Sequence, residues 1–151
     1  MLRIDLTATP WRAISLSATE DVWCLVDAID YPWLIEKTWN VWHSGRTRWQ
    51  LYAKRNVGVD RATVRMHREI MLRHDPLAPD LAASRVVDHI NGCTLDNRLC
   101  NLRWATHAEN RANRYGFADA PSVDLVLARL LTEHRRAVHA PAPACLEDIP
   151  F

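Results

Sequence analysis

Through the first third of the chain, apolar and polar positions alternate with the two-residue period of β-strands. Arg3-Ile4-Asp5-Leu6 and Arg12-Ala13-Ile14-Ser15-Leu16 are short alternating runs, and Val22-Trp23-Cys24-Leu25-Val26 is a more continuous apolar one. A short helix is expected from Asp30 to Lys37, with Asp30 as N-cap and Pro32 near the first turn. Thr38 to His43 and Arg48 to Arg55 then read as two strands joined by the turn Ser44-Gly45-Arg46-Thr47. In the second of them the period directs Trp49, Leu51 and Ala53 to a core face and Arg48, Gln50, Tyr52 and Lys54 to the other. Ala62 to Met66 adds a third strand, His67 to Arg73 turns helical, and Asp75-Pro76-Leu77-Ala78-Pro79 breaks the helix.

The pattern changes again after residue 84. Arg85 to Ile90 reads as a strand, stopped by the turn signal Asn91-Gly92. A loop from Cys93 to Cys100 leads to a second short strand, Asn101 to Ala105. Thr106-His107-Ala108-Glu109 is a Thr-x-x-Glu capping box, which puts Asn110 in the first turn of the next helix. Further on, Ser122 to Val138 has the spacing of an amphipathic helix, and Ala140-Pro141-Ala142-Pro143 reads as an extended tail. The expected fold is α+β in three parts. A β-rich region with a small antiparallel sheet occupies residues 1–75, a strand-loop-strand-helix block 76–116, and a helix with a tail 117–151.

Composition narrows the class of protein. A chain of 151 residues that is 48% hydrophobic can build a core, and no apolar stretch approaches the roughly 20 residues a membrane span needs. The start has no apolar signal region, so a soluble, cytosolic protein is expected. Cys24, Cys93, Cys100 and Cys145 form no C-x-x-C pair, which leaves a disulfide framework or zinc knuckle unsupported. The net charge of +1 hides a division into −3 over residues 1–44, +6 over 45–115 and −2 over 116–151. The basic middle can face a polyanion or form a solvated surface.

Within that middle, Asp88, His89, Asn97, Asn101 and Asn110 crowd into one block, although such groups are costly to bury without partners. His89 is suited to taking a proton from water, because an imidazole titrates near neutrality. Asp88 is its neighbour on the strand and points to the opposite side in ideal geometry, so a twist or strand end must bring both to one substrate. Asn113 and Arg114 follow Asn110 by about one helical turn on the same side, where Arg114 either clamps a phosphate or sits at the surface. His107 is expected to be exposed, and His67 to be a packing or hydrogen-bonding residue.

The order Asp88-His89, Asn101, Asn110, with Leu95-Asp96-Asn97-Arg98 and Asn101-Leu102-Arg103-Trp104-Ala105-Thr106, resembles the HNH endonucleases with their ββα-metal fold. It is similar to the phage and intron-associated branch, whose last motif residue is Asn. The stretches Val26 to Tyr31, Trp39 and Met66 to Met71 resemble the segment that precedes the nuclease motif there, which is similar to AP2-type DNA-binding sheets. The resemblance covers residues 22–114.

It implies a DNA endonuclease leaving 5′-phosphate and 3′-hydroxyl ends, with His89 as general base and Asn101 holding its imidazole. It further implies Asp88 and Asn110 as oxygen ligands of one divalent ion, Mg²⁺ or else Mn²⁺, while Asn97 braces the loop. DNA is the expected partner, met by Arg48, Tyr52, Lys54 and Arg114. Two other readings are a DNA-binding protein in which the nuclease fold is only structural, and a nuclease directed at RNA. Residues 117–151 show no helix-turn-helix repeat of the kind many intron-encoded members carry.

Overall fold

The computed structural model describes residues 9–19, 22–44 and 50–114, together with Ala128 and Thr132. Among these residues the alternating segments pair as small antiparallel sheets. Strands β1 (Trp11–Ser15) and β2 (Trp23–Asp27) form a hairpin in the register Trp11↔Asp27 to Ser15↔Trp23. The apolar run of β2 is covered on both faces, so Cys24, Leu25 and Val26 are all buried. Helix α1 (Tyr31–Leu34) follows, shorter than the expected segment. Asp30 occupies its N-cap position but makes no capping bond. Its buried carboxylate instead accepts a hydrogen bond from Trp33 Nε1 at 2.8 Å and meets His74 Nε2 at 2.8 and 2.9 Å.

The second sheet has the order β3 (Asn40–Ser44), β4 (Gln50–Val57), β5 (Ala62–Arg65). Its core face is the expected one: Ala53 is buried, and Leu51 and Val41 pack against the core. On the other face the register sets Trp42 opposite Tyr52 and lines Asn40, Lys54 and Arg65 in one row. The Arg65 guanidinium lies over the Trp42 ring, 4.9 Å from its centroid.

Helix α2 (Met66–His74) buries Met66, His67, Ile70 and Met71, positions that share one helical face. Arg55 ties β4 to it through two hydrogen bonds to the Glu69 carboxylate, at 3.0 and 3.2 Å. A helix that sequence reasoning missed, α3 (Pro79–Ser84), comes next. Pro79, the last residue of the expected break, starts the helix, where a missing N–H costs nothing. Arg68 reaches from α2 to donate to the carbonyls of Ala82 and Arg85, satisfying acceptors at the end of α3.

The strand-loop-strand-helix block forms as read, with β6 (Val86–His89) pairing β7 (Leu102–Ala105) and α4 (His107–Arg114) behind them. Its loop is joined to the amino-terminal hairpin. Leu25 N donates to Leu95 O at 2.8 Å, Asn97 N donates to Leu25 O at 2.8 Å, and Leu99 N donates to Asp27 Oδ2 at 2.7 Å. Cys93, Leu95 and Leu102 accordingly belong to the same hydrophobic core as Trp11, Leu25, Leu34, Ala53 and Ile70.

The expected helix from Ser122 to Val138 lies outside the described residues except at Ala128 and Thr132, which are helical. Arg48, the strand Arg3 to Leu6 and the turn beyond Ser44 also lie outside them. No helix among the described residues is long and apolar enough to cross a membrane.

Candidate active site

The block is held open by hydrogen bonds that its sequence encodes locally. Gly92 N donates to His89 O at 2.9 Å, closing a turn in which Gly92 takes φ +75°, a value that favours glycine. Asn91 Oδ1 accepts from Cys93 N at 2.8 Å, an Asx turn, while Asn91 Nδ2 donates to Asp96 Oδ2 at 2.9 Å. Asp96 is fully buried and also accepts from Arg98 Nε at 2.8 Å and Nη2 at 3.0 Å. Thr106 and Glu109 close the reciprocal capping box, with Thr106 N donating to Glu109 Oε2 at 2.7 Å and Glu109 N donating to Thr106 Oγ1 at 3.2 Å.

Asp88 and His89 diverge at the end of β6, as the strand period requires. The His89 ring turns inward and is 5% exposed. Its Nε2 lies 3.2 Å from Asn97 Oδ1. An amide oxygen can only accept, so Nε2 carries the hydrogen and Nδ1 keeps the lone pair. Burial lowers the pKa of His89, opposed by Asn97 and by the charges of Asp96 and Asp88. The ring is therefore neutral at neutral pH, the form that accepts a proton.

Asn101 does not serve as the expected brace of the imidazole. Its Oδ1 accepts from Asn91 N at 2.9 Å and its Nδ2 donates to Asp96 O at 2.8 Å, so it ties the two ends of the loop together. Asn97, expected to brace the loop, is the amide at the imidazole. The two exchange roles because the loop folds back along β2: Asn97 N pairs with Leu25 O, which turns its side chain inward. A contact made by a loop across 72 residues of chain leaves no local sequence signal.

Asp88 points to β7 and α4. Its Oδ2 accepts from its cross-strand partner Arg103, through Nε at 2.9 Å and Nη2 at 2.8 Å. Asn113 Nδ2 lies 3.0 and 3.1 Å from the two carboxylate oxygens and 3.0 Å from His89 O. It is Asn113, one turn beyond the expected Asn110, that the structure brings to Asp88. The capping box starts α4 at His107, which sets Asn110 in its first turn and Asn113 one turn further along. Arg114 ends α4, with its side chain outside the described atoms.

Tyr52, read as an outward DNA contact, packs inward: its ring centroid is 6.1 Å from His89 and 5.6 Å from His67. Lys54 remains on the outer sheet face, where its Nζ donates to Asn56 Oδ1 at 3.0 Å. His107 is exposed at the start of α4, as expected. Among the described residues, no three His, Cys, Asp or Glu side chains cluster. Cys24 is buried, and desolvation pushes its pKa up to about 12.

Part of this site falls within one segment that a comparison recognises. Residues 79–112 match the family model of the HNH endonucleases. The match begins at α3, runs through β6, the loop and β7, and ends inside α4, under a quarter of the chain. No curated protein and no solved structure matches. The HNH segment contains Asp88, His89, Asn97, Asn101 and Asn110, whereas Asn113 lies one residue past it. Tyr52 and His67, which flank His89, come from outside the HNH segment altogether.

His67 gives the fold an acid limit. Burial first, then the nearby His89, Arg65 and Arg68, lower its pKa well below 6.5. The folded state thus favours neutral His67, and that contribution is complete above pH 6.5 and declines as pH falls. Between pH 6 and pH 5 it costs up to about 1.4 kcal/mol per pH unit. Urea unfolding across this range is expected to show that slope in the wild type and a shallower one in His67→Phe; equal slopes would contradict it.

Proposed function

We propose that this protein is a metal-dependent endonuclease that hydrolyses DNA phosphodiester bonds, with His89 as general base. The observation that carries the proposal is the HNH match over a neutral imidazole whose Nε2 is held by Asn97, beside an Asp88 and Asn113 pair. His89 Nδ1 takes a proton from water as the water oxygen bonds to phosphorus; the bond to the 3′ oxygen breaks and that oxygen takes a proton from solvent. Products with 5′-phosphate and 3′-hydroxyl ends follow from this direction of attack.

The Asp88 carboxylate, the His89 carbonyl and an Asn113 amide that can turn its oxygen inward form a hard oxygen donor set, which fits Mg²⁺ or Mn²⁺. Such an ion, when bound, neutralises charge on the phosphate. Arg103, half exposed beside Asp88, adds positive charge at the same edge. Lys54 and Arg65 on the outer sheet face, with Arg48 and Arg114 from the basic region, supply phosphate contacts along the duplex.

The decisive assay is nicking of supercoiled plasmid with Mg²⁺, with Mn²⁺ and with EDTA. Nicking with either ion and none with EDTA is expected; salt-sensitive binding without nicking would favour the purely DNA-binding reading. Faster cleavage of RNA than DNA would reassign the substrate. Asn113→Ala should raise the Mg²⁺ concentration for half-maximal rate by about tenfold or more. Asn110→Ala should change it less, and the reverse order would restore Asn110 as the ligand.

A further inference from the structure

Two buried imidazoles touch, and only one belongs to the HNH segment. The His67 ring meets the His89 ring edge to face, with centroids 5.0 Å apart and planes at 78°. His67 is 4% exposed, and its Nδ1 has no hydrogen-bond partner among the described residues. A buried ring nitrogen left unpaired weakens a fold, so hydrogen bonding by that atom does not explain the residue. The ring itself does contact something: Tyr52 on one side and His89 on another.

The geometry points to His67 as a positioning residue for the base, a part of the site supplied by α2. One hydrogen bond, from Nε2 to Asn97, leaves the His89 plane free to swing about the donor-acceptor line. The edge-to-face contact with His67 and the tilted Tyr52 ring remove that freedom. The same contact keeps Nε2 on Asn97 and hence the lone pair on Nδ1. His67 sits at the start of α2, whose Met66, Ile70 and Met71 are locked in the core, so the ring is held by rigid structure. An imidazole displaced by about 1 Å loses on the order of 10²-fold in rate.

This inference rests on the nuclease reading for its kinetic arm, and a second arm reads the ring directly. Long-range proton-nitrogen spectra of the full chain, with His89→Ala for assignment, report the His89 tautomer. The wild type is expected to show His89 as one tautomer, hydrogen on Nε2. His67→Ala should show a mixture, and His67→Phe, which restores an aromatic edge, a single tautomer again. In plasmid nicking, His67→Ala should lose about 10- to 100-fold in rate at saturating plasmid, with half-saturation unchanged, and His67→Phe should recover most of it. Circular dichroism verifies that each variant is folded; should His67→Ala unfold, His67→Leu, which keeps bulk without an aromatic edge, takes its place. A wild type that nicks nothing would overturn the nuclease reading alone. An unchanged His89 tautomer in a folded His67→Ala or His67→Leu would overturn the positioning role.

Discussion

His89→Ala protein is expected to bind duplex DNA with wild-type affinity and to nick plasmid at least 10²-fold and up to about 10⁴-fold more slowly. The size follows from removing the proposed general base while leaving the rest of the site standing. His89 contributes little to phosphate contact, because its ring is turned inward among Tyr52, His67 and Asn97. Loss of the ring does open a cavity, so a modest fall in melting temperature should accompany the loss of activity. Gel-shift affinity and initial nicking rate, measured on the same preparation, separate the two effects. Wild-type nicking by folded His89→Ala would remove the residue from the mechanism.

The largest effect on stability is expected from Asp96→Ala, which should cost about 3–5 kcal/mol in urea unfolding. Asp96 is fully buried, and its carboxylate takes hydrogen bonds from both Arg98 and Asn91. Removing it strands a largely buried guanidinium and an amide whose partner has gone. The comparison with the exposed Arg85 and Glu109 pair is instructive. That pair sits 3.7 Å apart in solvent, where such contacts contribute little. A loss below about 1 kcal/mol for Asp96→Ala would mean that the loop does not depend on this buried pair.

The elements were readable wherever one local rule governed them. The capping box at Thr106 and Glu109 and the turn at Asn91-Gly92 formed as read, because each bond joins residues a few positions apart. The alternation of β4 identified Ala53 and Leu51 as core for the same reason. Roles that depend on which segment lies alongside were not readable. Asn97 and Asn101 carry the same amide, and only the pairing of the loop with Leu25 decides which one meets the imidazole. Tyr52 was assigned by strand period to an outward face, but the HNH segment covers that end of the sheet and turns the position inward. His67 gave no signal beyond its place after a strand, since its partner is 22 positions away in another element.

The bonds between β2 and the Leu95 to Leu99 loop bear on how far the matched segment could stand alone. A segment cut at the borders of the family match would leave behind Leu25 and Asp27, groups that hold its loop. Transplanted alone, it would arrive with Asn97 unanchored. The smallest piece of this chain that keeps those loop bonds is therefore the segment together with its hairpin, two stretches of sequence separated by the intervening sheet.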